Sequence, residues 1–383
     1  MAGDGGAALG GVVVKVGLDV SAVSQRPAGA GRYIVELAKR IASDDVAPTL
    51  VSTRGDGPRW REWSPASRVV DRIPTPRPLR LAYEASLLGR GSLFDVDVWH
   101  GPHYTMPRGA KKPVVVTVCD MTFFTNPEWH ERSKVYFFRR AMEYSVRHAT
   151  ELISISETTT GLLNEILRPT IPITTIPLGV DHDRFSPEAP PRSLEEFELP
   201  NDRPYVLFLG TFEPRKGLDV LLEAFRSMGE THPEVELWLA GQSGWHTAQT
   251  DSVITQHPFA SRIRRLGYVS DEIVPTLMRN ALAVAYPSRG EGFGLPVLEA
   301  LACGAQVVTT SGTVMEEVAG PAASLTTVGS ASELAEALVA TCELSDGERA
   351  VRSQAGIARA RQFTWSLTAE RHRDVYRRLA NSR

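Results

Sequence analysis

Cysteine is scarce in this chain: three residues, Cys119, Cys303 and Cys342, an odd number set far apart. They form no C-x-x-C pair and no zinc spacing, which argues against a disulfide framework and a Cys-based metal site. A reducing, cytoplasmic setting is the simplest expectation. Long apolar runs are missing too, and none approaches the roughly 20 residues that a membrane-spanning helix needs. The opening stretch, Met1 to Gly11, holds no Lys or Arg and no apolar centre. It therefore reads as a loose lead-in rather than a signal peptide. Nor is there an excess of one charge. The 42 Lys and Arg stand against 45 Asp and Glu, a net −3, which gives no global case for nucleic-acid binding.

What is present is patterned. With 383 residues, 42% hydrophobic and 23% charged, the chain has a soluble globular balance and is too long for one core. Val12–Leu18 is compact and β-branched, as a buried parallel strand is. Gly31–Ile41 follows as a helix with Tyr33, Ile34, Leu37, Ala38 and Ile41 on one face. Further strands are expected at Val96–His100, Val114–Cys119 and Glu151–Ile155, with a helix over Lys134–His148. Between Asp181 and Arg203 the pattern breaks, and Pro187, Pro190, Pro191 and Pro200 sit among charges around one amphipathic segment, Leu194–Phe197. It restarts with strands at Tyr205–Leu209, Val235–Ala240, Ile263–Leu266, Ala281–Tyr286 and Gln306–Thr309, and helices at Gly217–Met228 and Leu295–Cys303. The expected fold is α/β, with two Rossmann-like doubly wound domains facing across a cleft. The domains are residues 1–183 and 204–364, joined by a linker over 184–203, and a last helix within 365–383 returns to the first domain.

Two loops carry chemistry. Gly210-Thr211-Phe212-Glu213-Pro214-Arg215-Lys216-Gly217 lies between a strand and a helix. A βα turn at that edge aims backbone N–H groups and side chains into the cleft, and Arg215 with Lys216 suits a diphosphate. A solvated surface pair is the plainer alternative for the two cations taken alone. The second signal, Tyr286-Pro287-Ser288-Arg289-Gly290-Glu291-Gly292-Phe293-Gly294-Leu295-Pro296, follows the most apolar strand. Its glycines permit close backbone approach to a ligand, and Pro296 suits the first helical turn. Glu291 on the loop and Glu299 eight residues later on the helix can address two parts of one ligand.

Glu291 through Glu299 resembles the E-x7-E element of the retaining glycosyltransferase family 4, which has the GT-B fold. Gly210–Leu222, Leu266–Val269, Ala302–Gly304 and Phe363–Trp365 are similar to that family as well. The resemblance implies that Arg215 and Lys216 bind the donor diphosphate and stabilise the leaving group. It implies that Glu291, with the backbone of Gly292, Phe293, Gly294 and Leu295, contacts the donor sugar. Glu299 would hold the ribose, Gly210 and Thr211 would border the phosphates, and Tyr268 and Val269 would line the base pocket. No D-x-D stands near the expected cleft loops, and the family works without a divalent ion or other cofactor.

The first domain is less explicit. Gly29 and Gly31 open a helix, and in the family such a turn approaches the donor when the cleft closes; a plain helix start is the alternative. Where the family commonly has His in a Val-Thr-Val-His-Asp pattern, this chain has Cys119. A thiol does not replace that hydrogen bond at neutral pH, so Asp120 or His103 is expected to take part of the contact. The basic, aromatic stretch Lys134–Arg140, extended to His148, suits either peripheral contact with anionic lipid or ordinary packing on the sheet. The expected partners are a nucleotide-sugar donor, GDP-mannose first and UDP- or dTDP-sugars behind it, and a hydroxyl acceptor. A sugar-nucleotide epimerase and a non-catalytic nucleotide-sugar-binding protein are the competing classes.

Overall fold

Short, mainly apolar runs buried on both faces form the inner strands, and the amphipathic segments between them cover both sides of each sheet. The computed structural model describes residues 13–86, 94–188, 194–197, 199–200, 203–242 and 247–382. The expected lead-in at Met1–Gly11 and linker positions 189–193, 198 and 201–202 lie outside the described residues.

The first lobe runs β1 (Val14–Asp19), α1 (Ala30–Arg40), β2 (Val46–Thr53), α2 (Gly57–Trp63), β3 (Arg68–Ile73), α3 (Arg77–Ser86), β4 (Val98–Gly101) and β5 (Val114–Val118). It continues with α4 (Thr122–Thr125), α5 (Arg132–His148), β6 (Glu151–Ser154), α6 (Glu157–Ile166) and β7 (Ile173–Thr175). The second comprises β8 (Tyr205–Leu209), α7 (Leu218–Thr231), β9 (Glu236–Ala240), α8 (Thr247–Thr255), β10 (Ile263–Gly267), α9 (Val274–Asn280) and β11 (Ala283–Tyr286). After it come α10 (Leu295–Ala302), β12 (Val307–Thr310), α11 (Val314–Ala319), β13 (Ser324–Thr326), α12 (Ala331–Cys342), α13 (Asp346–Ala360) and α14 (Trp365–Asn381).

Among the described residues the strand orders are β3-β2-β1-β4-β5-β6-β7 and β10-β9-β8-β11-β12-β13, with all pairs parallel. Both sheets are thus doubly wound, as the alternation predicts. In the second lobe the order reverses between β8 and β11. The loops leaving those two strands, 210–217 and 287–294, therefore flank one crevice, where doubly wound sheets hold ligands.

The chain crosses between the lobes at two adjacent places. Val180 pairs in parallel with Thr364, and its N–H donates to the Phe363 carbonyl at 3.2 Å. A Cβ on Gly179 would collide with the Thr364–Trp365 backbone. Helix α14 then packs on α1, β1 and β4 of the first lobe and buries Trp365, Ala369, Val375 and Tyr376.

A buried polar chain fastens it there. His372 Nδ1 lies 2.7 Å from the Thr368 carbonyl, which only accepts, so that nitrogen carries the hydrogen. Every later donor follows. Tyr33 donates to His372 Nε2 at 2.8 Å and Thr117 to Tyr33 at 2.9 Å. His100 Nε2 donates to Thr117 at 2.8 Å, and Tyr376 to His100 Nδ1 at 2.6 Å. Burial holds both imidazoles neutral, His100 well below its ordinary range and His372 at about 4.

Candidate active site

The 210–217 turn and the glycine loop are bound into one unit. Arg215 offers its carbonyl to the Arg289 N–H at 2.7 Å and to the Ser288 hydroxyl at 3.0 Å. Arg289 then forks onto Asp219 at the start of α7, at 2.9 and 2.6 Å. This framework brings Arg215, Lys216 and Glu291 together. Arg215 Nη1 lies 2.7 Å from Glu291 Oε2, and the Lys216 ammonium meets Glu291 Oε1. Lys216 also donates to the Tyr286 hydroxyl at 2.6 Å, Tyr286 donates to Glu291 at 3.1 Å, and the Ser288 hydroxyl, with its one hydrogen given to the Arg215 carbonyl, lies 3.1 Å from the same Glu291 oxygen.

Burial disfavours the charge on Glu291, but Lys216 and Arg215 overcome that and hold its carboxyl down at about 2. Burial opposes the Arg215 charge too, and Glu291 with Glu213 more than offsets it. Lys216 is lowered, because burial outweighs its attraction to Glu291. The cations do not stand bare in the cleft, as the sequence suggests. Glu213 takes Arg215 Nε at 2.7 Å and Glu291 takes Nη1, so two carboxylates balance two cations in the closed arrangement.

Glu299 lies apart from that cluster in its hydrogen bonding. It is buried on α10, and Arg32 of the first lobe donates to its Oε1 at 2.9 Å. Arg32 also reaches Asp271 Oδ2 at 2.8 Å, and Arg184 pairs with the same carboxylate at 3.4 Å. A cavity of about 410 Å³ between the lobes is bordered by Arg32, Arg184, Asp271, Glu299 and Tyr268. Tyr268 is half exposed under the Arg26 guanidinium and also borders a second cavity of about 580 Å³ with Phe212, Gly241, Gln242 and Gly267. Val269 packs partly buried against the core. Asp181, the first acid of the triplet Asp181-His182-Asp183, borders the interlobe cavity, which amends the expectation that no D-x-D stands near the cleft. Its Oδ1 accepts from the backbone of Asp183 and Arg184 at 3.2 and 3.3 Å. Among the described residues no group of three or more His, Cys, Asp or Glu comes together to hold a metal ion.

The first lobe meets the glycine loop directly. A Cβ on Gly292 would run into the Cys119 carbonyl, and one on Gly290 would press on the Trp129 ring. Cys119 thus presents backbone to the cleft, while its thiol is buried and points to the Pro102 carbonyl at 3.8 Å. Asp120 turns back on the start of α4, accepting from the Thr122 backbone at 3.0 Å and its hydroxyl at 2.7 Å. His103 packs against Tyr104 and Phe138 with ring centroids 4.5 and 5.5 Å apart, and burial lowers it to about 4 against the pull of Asp120. Gly29 holds φ 50° at the N-cap of α1, a conformation that disfavours other residues. Gly31 sits inside the helix with a Cβ position 3.2 Å from Pro27.

In the second lobe Gly210 and Thr211 leave β8, with Thr211 exposed. Phe293 turns its ring into the core near Phe363, and Gly294 (φ 92°) caps α10 ahead of buried Leu295. From α11 of the same lobe, the Glu317 carboxylate reaches across the cleft, accepts the Glu157 and Thr158 N–H groups at 2.7 and 2.9 Å and caps α6. Arg32, Asp271 and Glu317 are the participants that motif reading gives no role, and Tyr286, inside the glycine-loop motif, gains one only from its bonds to Lys216 and Glu291. Arg32 had a signal: it is a cation in the first turn of α1, which holds no acid, against the helix dipole.

The family described as Glycosyl transferases group 1 matches residues 191–357, and Glycosyltransferase Family 4 matches residues 27–184. The chain is 30% identical over 290 residues to the O-antigen chain mannosyltransferase B of Escherichia coli, across 74% of each chain. It is 34% identical over 216 residues to the phosphatidyl-myo-inositol mannosyltransferase of Mycobacterium tuberculosis, and that match spans 54% of either chain. HepE of Anabaena, solved in complex with UDP and glucose, superposes with a TM-score of 0.73 at 20% identity, covering 95% of this chain and 100% of that one. Matched in both halves, and aligned along most of its length with the E. coli enzyme, the chain belongs to the family 4 glycosyltransferases and has their GT-B fold.

Proposed function

We propose that this glycosyltransferase is retaining and metal-independent, and that it moves mannose from GDP-mannose to a hydroxyl acceptor. The observation that carries the reading is the convergence of Arg215, Lys216 and Glu291 at the switch point of the second sheet. The donor diphosphate would draw Arg215 and Lys216 away from their carboxylates, and the freed Glu291 would receive sugar hydroxyls. Glu299 would take the ribose, and the space beside Tyr268 the base. The acceptor hydroxyl attacks the anomeric carbon on the leaving-group face. The bond from that carbon to the phosphate oxygen breaks, the new glycosidic bond forms, and the acceptor proton passes to the departing phosphate. Arg215 and Lys216 stabilise the charge developing there, the task a metal performs elsewhere.

Mannose is favoured because both sequence relatives cited above are named mannosyltransferases. A groove beside α5, bordered by His130, Arg132, Tyr136, Arg139 and Arg140, suits the acceptor side. The same helix would make any peripheral contact with an anionic membrane at the cytoplasmic face; no helix among the described residues is long and apolar enough to cross one.

The test is transfer from GDP-, UDP- and dTDP-sugars with and without a chelator, reading the anomeric configuration of the product. Selective turnover of GDP-mannose with retention and no chelator effect is expected. Inversion, or chelator-sensitive turnover, would overturn it. Donor binding without turnover on any acceptor would favour the binding-protein alternative, and isotope exchange at C2 without transfer the epimerase.

A further inference from the structure

Glu299 is a buried carboxylate whose hydrogen bond comes from the other lobe. Arg32 donates to Oε1 at 2.9 Å, and no described residue hydrogen-bonds Oε2. The guanidinium is itself anchored by its second nitrogen on Asp271 at 2.8 Å, so it reaches Glu299 in a fixed orientation. Within α1 this placement is unfavourable, since Arg32 puts a positive charge in the first turn, where the dipole favours acids. The cost is offset across the cleft. Opening the lobes would break both of these bonds and leave Glu299 without its counter-ion.

We infer that Arg32 is a positioning residue for donor binding: it holds Glu299 by one oxygen and leaves the other for the ribose hydroxyls, so that nucleotide grip depends on the first lobe being closed. This rests on the reading of Glu299 as the ribose ligand. A monodentate bond suits the role, because a carboxylate has acceptor sites for a guanidinium and two hydroxyls together.

The charged and titratable groups around Glu299 are Arg32 on α1, Arg184 in the crossing segment, Asp271 before α9, Tyr286 on β11 and Cys303 after α10, and Arg279 on α9 acts on that Cys303 thiol. Burial raises the Glu299 carboxyl, and Arg32 is the strongest group opposing that rise. Arg184 is next, and Asp271 acts the other way. Without Arg32 the carboxyl takes up a proton at a higher pH and loses acceptor capacity.

The experiment measures GDP and UDP dissociation constants for the full chain, Arg32→Ala and Arg32→Lys from pH 5.5 to 8. Each is expressed as a ratio to wild type at the same pH, which cancels the ligand's own titration. Arg32→Ala is expected to weaken binding on the order of tenfold at pH 8, and further as the pH falls. Arg32→Lys restores the charge without the fork, so its ratio stays flat with pH while affinity remains below wild type. Unchanged or tighter binding by Arg32→Ala, or the same loss at every pH, overturns the inference. If Arg32→Ala does not fold, a pH-dependent loss in Arg32→Lys overturns it alone. Glu299→Gln separates the two layers: wild-type binding by that variant refutes the ribose reading itself, whatever Arg32 does.

Discussion

Two buried polar clusters sit on either side of the cleft and are built on opposite plans. The first-lobe chain from Tyr376 through His100, Thr117, Tyr33 and His372 is neutral, linear and complete, with every donor assigned. The second-lobe cluster of Arg215, Lys216, Glu291 and Tyr286 is charged and branched, and it borders the cleft. A saturated neutral chain has nothing left to offer a ligand and serves to fasten α14. A charged cluster balanced only by its own carboxylates can exchange them for those of a substrate. Burial of polar groups therefore does not by itself mark a functional site; exchangeable charge does.

The sharpest way to break this contrast is Lys216→Ala. It is expected to lower kcat by about two to three orders of magnitude, the typical loss for one transition-state donor. Thermal stability should change little beside that, and initial rates with saturating donor check it. A large stability loss with intact turnover would make the cluster structural.

Acid should separate the clusters next. His372 is held at about 4 when folded against about 6.5 unfolded, so the unfolded chain binds more protons between those values. Stability is then lost as pH falls from about 6.5 toward 4, by roughly 3 kcal/mol for this residue. Glu291 has the opposite chemistry and a lower window: its contribution is full above the unfolded carboxyl value and is lost as pH falls toward about 2. Denaturation melts from pH 7 to 4, compared between wild type and His372→Gln, should show the variant with the flatter profile.

Tyr376→Phe removes the donor to His100 Nδ1 and leaves that nitrogen buried and unpaired. It should destabilise by about 1–3 kcal/mol while leaving turnover per folded molecule unchanged. The smallest effect belongs to Glu317→Gln. Weakening the cap on α6 should cost about 1 kcal/mol and shift small-angle scattering toward a more open form. An unchanged profile would mean the lobes close without that contact.

The doubly wound fold was legible because the central strands are rich in β-branched and apolar residues, and some, such as Ala283–Tyr286, are almost purely apolar and run into a glycine- or proline-marked turn. β2 is hidden by Pro48 in its middle, and β7 and β13 are too short, at three residues each, to show a period. Arg215, Lys216 and Glu291 were readable because two local motifs carry them. The Arg32–Glu299 pair was not, since 267 residues separate its members and only the folded lobes bring them together. His103 and Cys119 illustrate the reverse problem. Their residue types suggest chemistry, yet one is wedged between rings and the other gives the cleft only its carbonyl.

The two strand-like crossings at Val180 and Thr364 run side by side and are hydrogen-bonded to each other. A single tether would act as a ball joint and let one lobe swivel freely. A paired tether acts as a door hinge, which restricts motion to a swing about one axis. The rim contacts at Glu299 and Glu317 then meet in the same register every time the door shuts.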